Sequence, residues 1–110
     1  MKLPNAERAV VEIGKLRDYS LNSQHESGKH KARVFKSALG LTADDAEWLR
    51  EKILSAAQTE EAVARGDSPF GSNFAVDILV EREGHTALVR TLWIVEFGTD
   101  LPRLTSCYVV

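Results

Sequence analysis

The stretch that decides the fold is NFAVDILVEREGHTALVRTLWIVEF, residues 73–97. Apolar residues recur there at every second position, and Val, Ile, Thr, Phe and Trp dominate, so it reads as two β-strands. Glu83-Gly84 is the one turn signal inside it. A two-residue hairpin loop at that point fixes the register. Phe74 then faces Trp93, Val76 faces Thr91, Ile78 faces Val89 and Val80 faces Ala87, all on one apolar face. The opposite face pairs Leu79 with Leu88 and Asp77 with Arg90, and the opposite charges support this register over a slipped one.

Working outward, RLTSCYVV at the C-terminus reads as a further strand after the turn GTDL (98–101). A four-residue loop sets Phe97 opposite Pro102, Glu96 opposite Arg103, Val95 opposite Leu104, Trp93 opposite Ser106 and Thr91 opposite Tyr108. This places three hydroxyls, Thr91, Ser106 and Tyr108, on the core face beside Trp93. EEAVAR (60–65) reads as a short edge strand.

On the N-terminal side the period changes to that of a helix. Thr42 to Asp45 reads as a capping box, and Ala46, Leu49, Ile53 and Ala57 form a core stripe behind it. A preceding helix over about 28–39 has Ser27 as its expected cap. Its apolar face is Ala32, Phe35, Ala38 and Leu39, and Gly40 stops it. Residues 1–22 read as an arm with a helical turn near 13–19. The expected fold is α+β, with two N-terminal helices packed on one face of a four-stranded antiparallel meander sheet. One domain spans 1–110, its helical part about 1–58 and its sheet part about 60–110.

Composition excludes several classes. With 14 Lys and Arg against 16 Asp and Glu, the net charge of −2 argues against broad nucleic-acid coating but permits a local cationic site. No apolar run reaches membrane-spanning length, and the N-terminus lacks the apolar core of a signal peptide. The single cysteine, Cys107, excludes an internal disulfide, and the expected compartment is the cytoplasm. No metal or cofactor is expected, because no His, Cys and acid pattern has ligand spacing and no Gly-rich phosphate loop occurs. Cys107 alternates with Tyr108 and so points away from it, which argues against a Cys-His nucleophile with His30.

The chemistry-bearing stretch is GKHKARVF, residues 28–35. Cations in the first turn of a helix oppose its dipole by ~0.3–1 kcal/mol each, a cost that an anion bound there removes. Lys29, Arg33 and Lys36 lie on the solvent side. Lys31 lies on the apolar face, where an ammonium must either snorkel out or meet an anion. His30 lies at the border, and its ordinary pKa near neutrality suits acid/base work.

Five segments carry a resemblance in this order: LPNAERAVVEIGKLRDYSLN, GKHKARVFKSALGLT, FAVDILV, VRTLWIV and PRLTSCYVV. Across nearly its whole length the chain resembles an uncharacterised bacterial domain family whose members stand alone or form the C-terminal tips of polymorphic toxins. More broadly it is similar to the barnase/RelE-like toxin ribonucleases, which follow two helices with a four-stranded antiparallel sheet. The chain departs from their stronger members in its acidity and in having Ser106 where Thr is more usual. The resemblance implies metal-free cleavage of RNA by transphosphorylation. His30, Lys31 and Tyr108 would be catalytic and Ser106 would bind the phosphate; strand and helix faces add Thr91, Arg90 and Arg33 as further expected phosphate ligands. An antitoxin or immunity protein is the implied partner, and no membrane is involved. The alternative is a non-catalytic module that docks an acidic partner through the same basic helix start.

Overall fold

The computed structural model describes residues 1–110 and is a mixed α+β structure built on a four-stranded antiparallel sheet. Strands β1 (Ala62–Ser68), β2 (Gly71–Arg82), β3 (His85–Glu96) and β4 (Pro102–Val109) lie side by side in chain order. The β2–β3 hairpin has the expected register, including Phe74 opposite Trp93 and Asp77 opposite Arg90. Its turn residues Glu83 and Gly84 have φ of 50° and 83°. Both are left-handed, as the turn that matches the twist of two strands requires. Arg90 Nε and Nη2 donate to the two oxygens of Asp77 at 2.8 and 3.0 Å.

The β3–β4 register differs from the expected one. Val95 faces Pro102, Ile94 faces Arg103 and Trp93 faces Leu104, and then the pairing shifts. Leu92 faces Ser106, Thr91 faces Cys107 and Arg90 faces Tyr108. Thr105 is the extra residue of a β-bulge, and its hydroxyl donates to the Leu92 carbonyl at 3.1 Å. One inserted residue turns every later side chain to the opposite face. Cys107, rather than Ser106 or Tyr108, therefore enters the core, and it is fully buried. The physical reason is visible in the strand itself. Leu104 and Cys107 are three residues apart, so strict alternation buries only one of them, while a bulge buries both.

Helix α1 (Lys29–Leu39) buries Ala32, Phe35 and Leu39. It ends at Gly40, whose φ of 68° lets the Gly40 and Leu41 N–H groups close back on Lys36 and Phe35. Ser27 does not cap it. The imidazole of His25 accepts the N–H groups of Ser27 and Gly28 at Nδ1, both at 3.0 Å, and thereby satisfies donors just ahead of the helix. The Thr42–Asp45 capping box is present around a tight turn (Ala43–Asp45), and α2 (Ala46–Ala57) follows with its whole expected stripe buried.

The helical part is richer than two helices. A tight turn (Ala6–Arg8) and a wide, π-type turn (Leu16–Ser20) precede α1. The arm also touches both outer edges of the sheet, through bridges of Lys2 to Glu61 and Val10 to Arg103. One apolar core joins arm residues Leu3, Val11, Leu16 and Leu21 to Phe35, Leu49 and Ile53 from the helices and to Val76, Ile78, Trp93 and Leu104 from the sheet. No helix is long and apolar enough to cross a membrane.

Candidate functional site

The first turn of α1 lies beside β4. His30, Lys31, Val34, Tyr108 and Val109 line one groove of about 320 Å³ there. Tyr108 and Val109 are chain neighbours on opposite sides of the strand, so this groove runs across the outer edge of the sheet. The three residues expected to be catalytic are thus brought together, but Tyr108 arrives from the uncovered face rather than from the core. His30 is exposed and Lys31 is half-buried.

Lys31 is explained by a residue that the sequence reading missed. Its ammonium donates to Tyr19 Oη at 3.0 Å and lies 4.8 Å from the Tyr19 ring centroid. That ring in turn meets His25 edge-on, with centroids 4.8 Å apart and planes at 81°. Because His25 Nδ1 accepts two backbone N–H groups, the neutral ring carries its proton on Nε2. Lys31, Tyr19 and His25 therefore fix the start of α1 as a unit. Only the unmet demand of Lys31 for a polar partner hinted at Tyr19, and nothing in the spacing identified His25.

Gly28 completes the joint. A Cβ at this position would lie 2.2 Å from the Tyr19 carbonyl oxygen and 2.9 Å from its carbon, so the two backbones touch. Gly28→Ala is expected to cost ~1–3 kcal/mol through overpacking and to push His30 and Lys31 off the groove. Urea denaturation checks this, and an unchanged midpoint would contradict the tight joint.

A second cleft of about 450 Å³ adjoins the first and is lined by Glu12, Gly14, Lys15, Tyr19, Lys31, Thr105 and Ser106. Lys31 lines both clefts. Ser106 Oγ is enclosed and has no hydrogen-bond partner. Ser106 thus accompanies Lys31 at the strand edge and is not part of a core cluster.

The other expected phosphate ligands are placed elsewhere. Thr91 is fully buried; its hydroxyl donates to the Val76 carbonyl at 2.6 Å and accepts the Trp93 indole N–H at 2.8 Å. It satisfies the core and touches no cleft, and Trp93 offers no exposed face for stacking. Thr91→Val is expected to cost about 1–3 kcal/mol, because it leaves the indole N–H unpaired in the core. Equilibrium unfolding measures this, and full stability in the variant would return Thr91 to candidacy as a site residue. Arg33 is exposed on α1 and lines neither cleft.

Arg90 is committed to Asp77, and Tyr108 lies beside the same guanidinium; both hold Arg90 charged. The hydrogen bonds from Arg90 keep the Asp77 carboxyl below its usual range, against the opposing effect of burial. Arg90 also lines a separate cavity of about 570 Å³ on the uncovered face, with Arg65, Asp77, Glu60 and Glu61 among its walls. It is therefore held in an ion pair and is not a free cation.

Cys107 is kept from both clefts by burial in the core. Burial pushes its thiol from an ordinary value of 9.0 up to about 12, only partly offset by the Ser20 hydroxyl and the charge of Lys31. Ser20 Oγ is itself buried without a hydrogen-bond partner. The unfolded chain releases this proton near pH 9 and the folded chain near pH 12, so stability falls as pH rises through that window. The expected slope is about 1.4 kcal/mol per pH unit for one proton. It is read as the difference between the wild type and Cys107→Ala, and parallel curves would contradict the buried neutral thiol.

Charge is concentrated at this end of the molecule. Lys29, Lys31, Arg33 and Lys36 give α1 a charge of +4 with no acid, so the rest of the chain carries −6 to reach the total of −2. None of these four, nor Lys15, has a carboxylate partner, whereas Lys2, Arg8, Arg17, Arg50, Arg82, Arg90 and Arg103 all do. Nowhere do three or more His, Cys, Asp or Glu side chains converge, and no metal site is assigned.

No curated protein matches the chain. A family model described as "Domain of unknown function (DUF6883)" matches residues 2–110, and the chain belongs to that family.

Proposed function

We propose that the protein is a metal-independent, toxin-type ribonuclease acting in the cytoplasm, with its centre at the edge groove. The observation that carries this reading is that Tyr108, far from His30 and Lys31 in sequence, lines one groove with them beside an uncompensated basic helix. The resemblance to barnase/RelE-like toxins, with helices laid on one face of a four-stranded sheet, supports it.

The reaction is a transphosphorylation. The RNA 2′-oxygen loses its proton to a base and bonds to phosphorus, the P–O5′ bond breaks, and the leaving 5′-oxygen takes a proton. The products are a 2′,3′-cyclic phosphate and a 5′-hydroxyl. His30 serves as the acid/base group from the open side of the groove. Lys31 turns from Tyr19 to the phosphate and offsets the charge that builds on it. Tyr108, opposite Arg90 on the neighbouring strand, donates its hydroxyl hydrogen to a phosphoryl oxygen. The purified protein is incubated with end-labelled single-stranded RNA in EDTA, and the products are resolved for cyclic-phosphate ends. Absence of cleavage, together with absence of toxicity on expression, sinks the reading.

One observation favours the alternative, a non-catalytic module for an acidic protein partner such as an antitoxin or immunity protein. His30 has no hydrogen-bond partner to orient it, while Lys29, Arg33 and Lys36 stand unpaired on the solvent face. In that case replacing the three cations together abolishes partner binding and His30→Ala does not.

A further inference from the structure

Resting on the ribonuclease reading, we propose that the cleft between the Leu16–Ser20 turn and β4 holds a second phosphate of single-stranded RNA. The substrate is then an oligonucleotide threaded along the sheet edge, not a mononucleotide.

The two clefts differ in character. The groove at His30 has apolar walls in Val34, Val109 and the Tyr108 ring, which suit a base or sugar face. The neighbouring cleft is more polar: Lys15, Lys31 and Tyr19 line it, and Ser106 stands in its wall. Ser106 Oγ is enclosed without a partner, a state that costs free energy until an acceptor arrives. A phosphate oxygen is such an acceptor. Lys15 is exposed and unpaired, so its charge is available at the cleft mouth. The single acid in the lining, Glu12, is already neutralised by Arg103. Lys31 lines both clefts and so stands between successive phosphates of one strand.

The test uses single-stranded 2′-O-methyl oligonucleotides of two and four nucleotides, which lack the nucleophile and are not cleaved. Anisotropy titrations at several salt concentrations compare the wild type with Lys15→Ala, Ser106→Ala and a control, Lys52→Ala, whose ammonium lies 5.3 Å from the Trp48 ring centroid on α2. The tetranucleotide is expected to bind the wild type about tenfold or more tightly than the dinucleotide. Lys15→Ala is expected to erase that advantage and lower the salt slope by about 0.7, the loss of one phosphate contact. Ser106→Ala reduces the advantage, and Lys52→Ala leaves it intact. A length advantage that survives Lys15→Ala, or that Lys52→Ala reduces equally, overturns the subsite. Lys15-dependent binding by a protein that never cleaves RNA supports the subsite and refutes the catalytic reading alone. Cleavage with length-independent affinity refutes only the subsite.

Discussion

Trp93→Ala is expected to lower the free energy of unfolding by about 3–5 kcal/mol, the largest loss from any single truncation in this chain. The indole is 1% exposed at the centre of β3, opposite Phe74 on one side and Leu104 on the other. Its removal leaves a large void between the sheet and the helical part. It also strips the Thr91 hydroxyl of one of its two partners. Trp93→Phe separates the two effects, since it keeps most of the volume and loses the N–H, and about 1 kcal/mol is the expected cost of a hydrogen bond. Chemical denaturation of both variants measures the pair. A loss below 1 kcal/mol for the alanine variant would mean that this face of the sheet is poorly covered.

The second large effect falls on activity and leaves stability alone. His30→Ala is expected to slow RNA cleavage by about 10²–10⁴-fold, the usual contribution of a positioned acid/base group. Its exposed side chain forms no hydrogen bond, so the unfolding midpoint should not move. Lys31→Ala should differ in kind. It removes the phosphate charge and also the bond to Tyr19, so rate and stability fall together. Tyr108→Phe keeps the ring in the groove and lowers rate only. Rates and denaturation midpoints for the three variants decide the assignment. Equal cleavage by wild type and His30→Ala removes His30 from the mechanism.

These contrasts follow how the chain was legible. The β2–β3 hairpin was readable because Glu83-Gly84 and the Asp77–Arg90 pair both fix one register, and both are local. The α2 stripe and its capping box were readable for the same reason. The last strand departs from strict alternation within LTSCY. The core preferred Leu104 and Cys107 to Ser106 and Tyr108, and a bulge at Thr105 made that possible. Of the candidate site, His30 and Lys31 were visible as cations that the helix dipole does not favour. Thr91 read as a site hydroxyl because alternation finds the face of a side chain but not its bonding partner.

The sequence by itself determined the α+β class, the order of the four strands, the buried stripes of α1 and α2, and the presence of an uncompensated basic helix start. All of these rest on periodicity and on neighbours a few residues apart. Only the tertiary structure decided which hydroxyls meet that helix start. It set Tyr108 and Ser106 at the sheet edge, Thr91 in the core, and Tyr19 against Lys31. Those placements depend on a one-residue bulge and on an arm that crosses to β4. Both are settled by competition for core volume across the whole chain, which no local pattern records.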